Sequence, residues 1–316
     1  MSQAIKPLRS REDAPFIIKL GRNMRKHYEL YLLLIPVLGY YVIFHYGPMY
    51  GVQIAFKNFM PRLGINDSPW VGLTHFKNYI NSYYFLRLIR NTLLLNFYNL
   101  IFGFPAPIIL ALLINELRRM TFKRVIQTVT YLPHFVSIVV ICGILHDFLS
   151  ERGLINNIIT AFGGVATPFL MSPGAFRPIY VLSGIWQEIG WGSIVFLAAI
   201  SAIDQELYEA ARIDGAGKLR QALNVTIPSI APTIIIMFIL RIGHLMNVGA
   251  DKILLLYNEL TYETADVIST FVYRQGLLRA DYSYSTAVGL MNSVINFFLV
   301  VSTNSISKRV SETSLW

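Results

Sequence analysis

The amino-acid sequence predicts an all-α, polytopic membrane protein with six transmembrane helices. Three observations carry that expectation. Of the 316 residues 54% are hydrophobic and only 14% charged, against roughly 25% charged in a soluble domain, which leaves too little polar surface to cover a core of this size. The charges are also clumped, so that Leu30–Phe56, Asn91–Asn115, Val125–His146 and Tyr282–Ser307 contain no Asp, Glu, Lys or Arg. Each run exceeds the ~20 residues that a helix needs to cross a ~30 Å hydrocarbon layer. Finally, two more apolar runs carry isolated charges: Pro178–Ile203 holds Glu188, and Val225–Ala250 holds Arg241 with His244 nearby.

In chain order, residues 1–29 form a basic N-terminal segment and the first span follows. Segment 57–90 leads to the second span, and the short loop 116–124 to the third. The uncharged stretch Leu154–Phe176 is rejected as a span, because Asn156, Asn157, Gly163, Gly164, Pro168, Pro173 and Gly174 would leave its backbone unsatisfied in lipid. It reads as a loop with one short helix. Spans four to six are then joined by loops 204–224 and 251–281. The whole of 1–316 is expected to be a single transmembrane domain.

Basic residues set the orientation. With the N-terminus inside, the inner segments carry 16 Lys and Arg and the outer ones 10, and Arg118, Arg119, Lys123 and Arg124 crowd one short inner loop. The positive-inside rule then puts both termini on the cytoplasmic side of the membrane. The net charge of +9 is accounted for by this bias and by contact with anionic headgroups of membrane lipid; no nucleic-acid partner is needed. No cleavable signal peptide is expected, since the first apolar run starts about 30 residues in and is too long for a signal core.

Catalysis is not expected. The lone Cys142 allows no intramolecular disulfide and no cysteine metal site. The six histidines are scattered without the spacing of a zinc motif, and Gly217-Lys218 lacks the preceding glycine of a phosphate-binding loop. Catalytic residues, metal ligands and cofactors bound by this chain are therefore all expected to be none.

The loop between spans four and five is organised differently. Asp204 can cap a helix starting at Gln205, with Glu206 in its first turn, and Gly215 can end it in the left-handed conformation. That yields a helix of roughly ten residues with a small face made by Ala210, Ala211 and Gly215, leading on to Pro228 and the fifth span. Partner docking and a plain amphipathic surface helix are both compatible with this pattern. Glu209-Ala210-Ala211, three residues, Gly215, nine residues and Val225-Thr226-Ile227-Pro228 resemble the EAA-type signature of the permeases of binding-protein-dependent ABC importers. Two positions depart from it, Val225 for Ile and Ile227 for Leu. His45-Tyr-Gly-Pro-Met-Tyr50, Gly72–Tyr79, Trp186, Tyr262–Val267 and Ser283–Gly289 extend the resemblance over nearly the whole chain, toward sugar permeases of the maltose-type group for pectin or alginate fragments.

The resemblance implies a type I ABC importer permease fold and a subunit forming half of a translocation pathway for an oligosaccharide. It implies that segment 204–228 couples to a cytoplasmic ABC ATPase dimer, which holds the ATP and Mg. Asp204, Glu206, Glu209, Ala210, Ala211, Arg212, Asp214, Gly215 and Pro228 would form that contact, the small residues allowing close approach and Glu209 and Arg212 lying at the rim. It further implies a second homologous permease chain and an extracytoplasmic solute-binding protein that delivers the sugar. A self-sufficient secondary transporter or channel is the rival reading, to be marked by inverted repeats and paired broken helices.

Charges at membrane depth are costly and usually face a cavity or each other. Glu188 and Arg241 lie at similar depth, ~15 Å and ~14 Å from the outer ends of their spans. They either form a structural ion pair or line the sugar pathway, where Arg241 and His244 would face uronate carboxylates. Trp186 is a candidate for stacking on a sugar ring, and Gln187, Asn247 and Asn292 are polar candidates for the same pathway.

Overall fold

A computed structural model describes residues 26–243 and 249–311. It is helical, and the chain divides into two compact units at Gln53/Ile54. The first unit holds most of helix α1 (Tyr28–Phe56), an apolar rod with none of its most hydrophobic window buried. Its fourteen-residue first part, Tyr28–Tyr41, is leucine-rich all round, the pattern of a helix whose surroundings are apolar on every side.

The second unit contains α2 (Thr74–Ile80), α3 (Tyr84–Asn115), α4 (Met120–Phe135), α5 (Ile138–Leu149), α6 (Leu154–Ala161) and α7 (Pro173–Ser201). It continues with α8 (Gln205–Ile213), α9 (Lys218–Gly243), α10 (Ala250–Leu256), α11 (Ile268–Tyr273) and α12 (Tyr282–Ser311). Among the described residues five helices are long and apolar enough to cross a membrane alone: α1, α3, α7, α9 and α12. α7 is the central rod, packed on α3, α4 and α9, while α9 also lies along α12.

The expected third span, Val125–His146, is not one rod. It breaks between Phe135 and Ile138, where the chain turns by 100°. Pro133 sits in the tightened last turn of α4, Val136 is extended, and the Ser137 hydroxyl accepts the Val140 N–H to start α5. A proline can be carried inside a membrane helix when neighbours satisfy the freed backbone, so the apolar run alone could not reveal this stop. The bent pair counts as the sixth span only if taken together.

α7 crosses the end of α4 at Gly190. A Cβ placed there would stand 2.0 Å from the Thr130 carbonyl oxygen, so main chain meets main chain and only glycine fits.

The stretch rejected as a span does fold back on itself. α6 is eight residues long, and the buried Asn156 side chain donates to the Ser150 and Thr167 carbonyls while accepting the Thr167 N–H, all at 2.9 Å.

Three buried clusters hold this unit together. At one end Tyr79, Leu88, Ile268, Phe271 and Val288 pack α2, α3, α11 and α12. In the middle Leu95, Cys142, Phe176, Tyr180 and Ile253 join α3, α5, α7 and α10. At the other end Ala111, Ile114, Phe196, Ile200, Tyr208 and Ile230 join α3, α7, α8 and α9.

Candidate functional site

α8 forms as its caps dictate. Asp204 Oδ1 accepts the Glu206 N–H at 3.0 Å, and Glu206 lies in the first turn, where the helix dipole favours an acid. At the other end Gly215 has φ +76°. The Ala216 N–H donates to the Ala211 carbonyl at 2.8 Å and the Gly215 N–H to Arg212 at 3.0 Å, the paired bonds of a Schellman stop. The nine-residue helix is fastened to the bundle by Tyr208, which is buried against α3, α7 and α9 with its hydroxyl 2.9 Å from that of Thr226. Gln221 Nε2 donates to the Ala216 carbonyl at 2.7 Å, and Lys218 pairs with Glu116 at 2.7 Å, tying this loop to the one before α4.

The opposite face of α8 is open. Glu206, Glu209, Ala210, Arg212, Asp214 and Gly215 are exposed, Ala211 is half-buried and Pro228 is exposed at the foot of α9. Beside them stand Leu207 and Ile213, the latter 87% exposed. The sequence reading fixed on the small residues and missed these two apolar side chains, whose 3.6-residue phase opposite Tyr208 was the available signal.

A second feature is a cleft of about 580 Å³ between α3, α7, α9 and α10, within the usual size of a ligand site. Gln187, Glu188 and Arg241 line it, together with Asn99, Trp191, Asp251 and Lys252, which the sequence reading did not single out. The Glu188 carboxylate is bonded to His134 Nδ1 at 3.1 Å, and that imidazole stacks flat on Trp191 with centroids 4.5 Å apart. Among the described residues it is therefore His134, at the break after α4, and not Arg241 that pairs with Glu188. Trp186 faces away from this cleft, into a separate apolar groove with Ile144, Phe148 and Leu182. Asn292 on α12 is not part of the cleft lining, and His244 and Asn247 lie outside the described residues.

At the end of α3 remote from α8, a buried carboxylate organises the segment 251–281. Asp266 is fully buried and receives two bonds from Arg274, at 3.1 and 2.6 Å, one from Thr270 at 2.8 Å and one from Arg87 at 3.4 Å. Burial works against the Arg274 charge, but the Asp266 bonds and field outweigh it and raise the guanidinium above its ordinary value. Asn91 holds the same turn, donating to the Glu263 and Asp266 carbonyls at 3.0 Å.

Comparison with known proteins agrees with this architecture. Residues 103–312 match the family described as binding-protein-dependent transport system inner membrane component. Protein LplB of Bacillus subtilis (strain 168) is 45% identical over 97% of this chain and 98% of its own. The polygalacturonan/rhamnogalacturonan transport system permease protein YteP of the same organism is 43% identical, over 91% of this chain and 90% of its own. A crystal structure of the bacterial alginate ABC transporter, in complex with an alginate pentasaccharide-bound periplasmic protein, contains a chain that superposes with a TM-score of 0.87. It is 42% identical, over 94% of this chain and all of that one. With the multi-pass helical bundle and its loop helix in place, the chain belongs to the inner membrane components of binding-protein-dependent transport systems: it is a permease subunit of an ABC importer, not an enzyme.

Proposed function

We propose that this chain forms one half of the translocation pathway of an importer for acidic oligosaccharides. Its load is delivered by an extracytoplasmic solute-binding protein. The other half comes from a second, homologous permease chain, and the driving force from a cytoplasmic ATPase dimer that holds ATP and Mg. Both termini lie in the cytoplasm, and segment 204–228 is the coupling loop. The observation that carries the coupling assignment is α8 itself: capped at both ends, anchored from behind by Tyr208, and presenting Leu207, Ala210 and Ile213 outward. An exposed apolar strip rimmed by Glu209, Arg212 and Asp214 suits a groove on another protein. Sugar import is supported by the relatives named for polygalacturonan and alginate transport, the latter called an acidic polysaccharide.

The test is co-expression of this chain with its ATPase and partner permease, followed by purification in detergent and addition of ligand-loaded binding protein. Gly215→Val puts a β-branched residue at φ +76°, a strain of about 1 kcal/mol or more. It is expected to leave the helices inserted while ATPase recovery falls and hydrolysis no longer responds to the binding protein. Normal recovery and stimulation of the variant would remove α8 from the coupling role.

A further inference from the structure

Two cations share the cleft without a carboxylate partner. Lys252 is 7% exposed, and its ammonium donates to the Tyr180 carbonyl at 3.1 Å and lies 5.0 Å from the Tyr180 ring centroid. Among the described residues neither it nor Arg241 forms an ion pair; the nearby Glu188 is engaged by His134. A buried ammonium held by a neutral carbonyl and a ring face is poorly compensated. A buried ionisable side chain that lines a cleft and lacks an ion-pair partner points to function rather than packing.

The surrounding backbone passes close to both groups. A Cβ on Gly184 would stand 3.5 Å from Lys252 Nζ, and one on Gly103 would stand 3.8 Å from an Arg241 Nη. Asn99 Oδ1 is close to both glycines, 3.2 Å from the Cβ position of Gly103 and 4.0 Å from that of Gly184. The two bare positions on α3 and α7 thus bring one cation from α9 and one from α10 around a single amide. Asp251 and Glu188 also line the cleft; both are carboxylates that disfavour an anion beside them, and Glu188 is already bonded to His134.

We propose that Arg241 and Lys252, with Asn99 between them, form a seat for a uronate carboxylate of the passing oligosaccharide. The proposal rests on the acidic-sugar reading above and assigns it to residues. The two cations bind the carboxylate by charge-assisted hydrogen bonds, and the Asn99 amide is placed to bond a ring hydroxyl. Lys252 is then a specificity-determining residue that separates acidic from neutral sugars.

The experiment uses the assembled transporter in lipid nanodiscs without binding protein, and measures binding of tetragalacturonate and of its fully methyl-esterified form. The free acid is expected to bind more tightly than the ester. Lys252→Met and Arg241→Gln are each expected to weaken the acid about tenfold, as for loss of a charge-assisted bond, and to leave the ester within about twofold. Lys252→Arg restores the preference for the acid. ATPase co-purification shows that each variant assembles; if Lys252→Met does not, Arg241→Gln and Lys252→Arg decide. Equal binding of acid and ester by the unaltered chain, or acid binding indifferent to the variants, overturns the seat even if uptake assays show the complex importing uronates. A complex that imports neutral oligosaccharides and neither binds nor imports the uronate overturns the acidic-sugar reading as well.

Discussion

The Tyr208 hydroxyl stands 2.9 Å from the Thr226 hydroxyl in a buried contact, linking the loop helix α8 to the foot of α9 across eighteen residues of chain. In the proposed coupling role, α8 needs a stiff connection to a span, and this pair with the apolar contacts around it would supply that joint. Tyr208→Phe deletes one hydrogen bond and is expected to cost about 1 kcal/mol. Tyr208→Ala empties a buried aromatic site and is expected to cost about 3–5 kcal/mol. Thermal unfolding of the purified chain in detergent ranks the two, and equal melting temperatures for both variants would show that α8 is held by other contacts.

Gly190 should be intolerant of any side chain. With the Thr130 carbonyl 2.0 Å from the Cβ position, Gly190→Ala forces α7 away from α4 at a cost of about 1–3 kcal/mol. Gly289→Ala on α12, where the added carbon meets nothing within 4 Å, is the matched control and should be neutral or stabilising by up to about 1 kcal/mol. The comparison is read from melting curves; similar losses at both positions would contradict the crossing.

The Asp266 cluster predicts an asymmetry between its partners. Arg274→Met leaves the fully buried carboxylate with one weaker guanidinium contact and should destabilise by about 3–5 kcal/mol. Asp266→Asn keeps a hydrogen-bonding group and removes the charge that needs compensation, so it should cost less. Proteolysis of the 251–281 segment in membranes measures the order, and a larger loss for Asp266→Asn would reverse it.

The proposed orientation places Asp67, Thr167 and Glu259 outside the cell and Met120 and Lys218 inside. Single cysteines at these positions, in a chain with Cys142 replaced, should be labelled by an impermeant maleimide only in the first group. External labelling at Lys218 would invert the arrangement.

What was legible in the sequence was what local chemistry decides. Asp204 and Gly215 declare the ends of α8 by side-chain capping and left-handed backbone, and the asparagines and prolines of 154–176 declare a loop. Apolar length located the five continuous spans. The break after Pro133 was hidden because a charge-free run reads alike whether straight or bent. For Glu188 the sequence offered Arg241 as a partner or a place in the pathway lining; His134, its partner here, comes 54 residues earlier on an element assumed to be continuous. Lys252 was counted among loop charges; its place against Tyr180, 72 residues away, depends on α10 folding back between α5 and α7. Asp266 was not singled out, since its partners Arg87 and Arg274 come together only in the fold.

The bend after α4 replaces one long rod by shorter segments. At about 1.5 Å per residue, Met120–Phe135 is about 24 Å long and the helix Ile138–Leu149 that follows about 18 Å, so each of these two helices is shorter than a ~30 Å hydrocarbon layer. A straight helix meets the bilayer as one rod whose tilt is its main freedom; this pair meets it as two segments joined at a 100° bend. α4 is pinned to α7 at Gly190, main chain on main chain. The rod that carries Glu188 into the cleft is thus the same one on which the bent element rests.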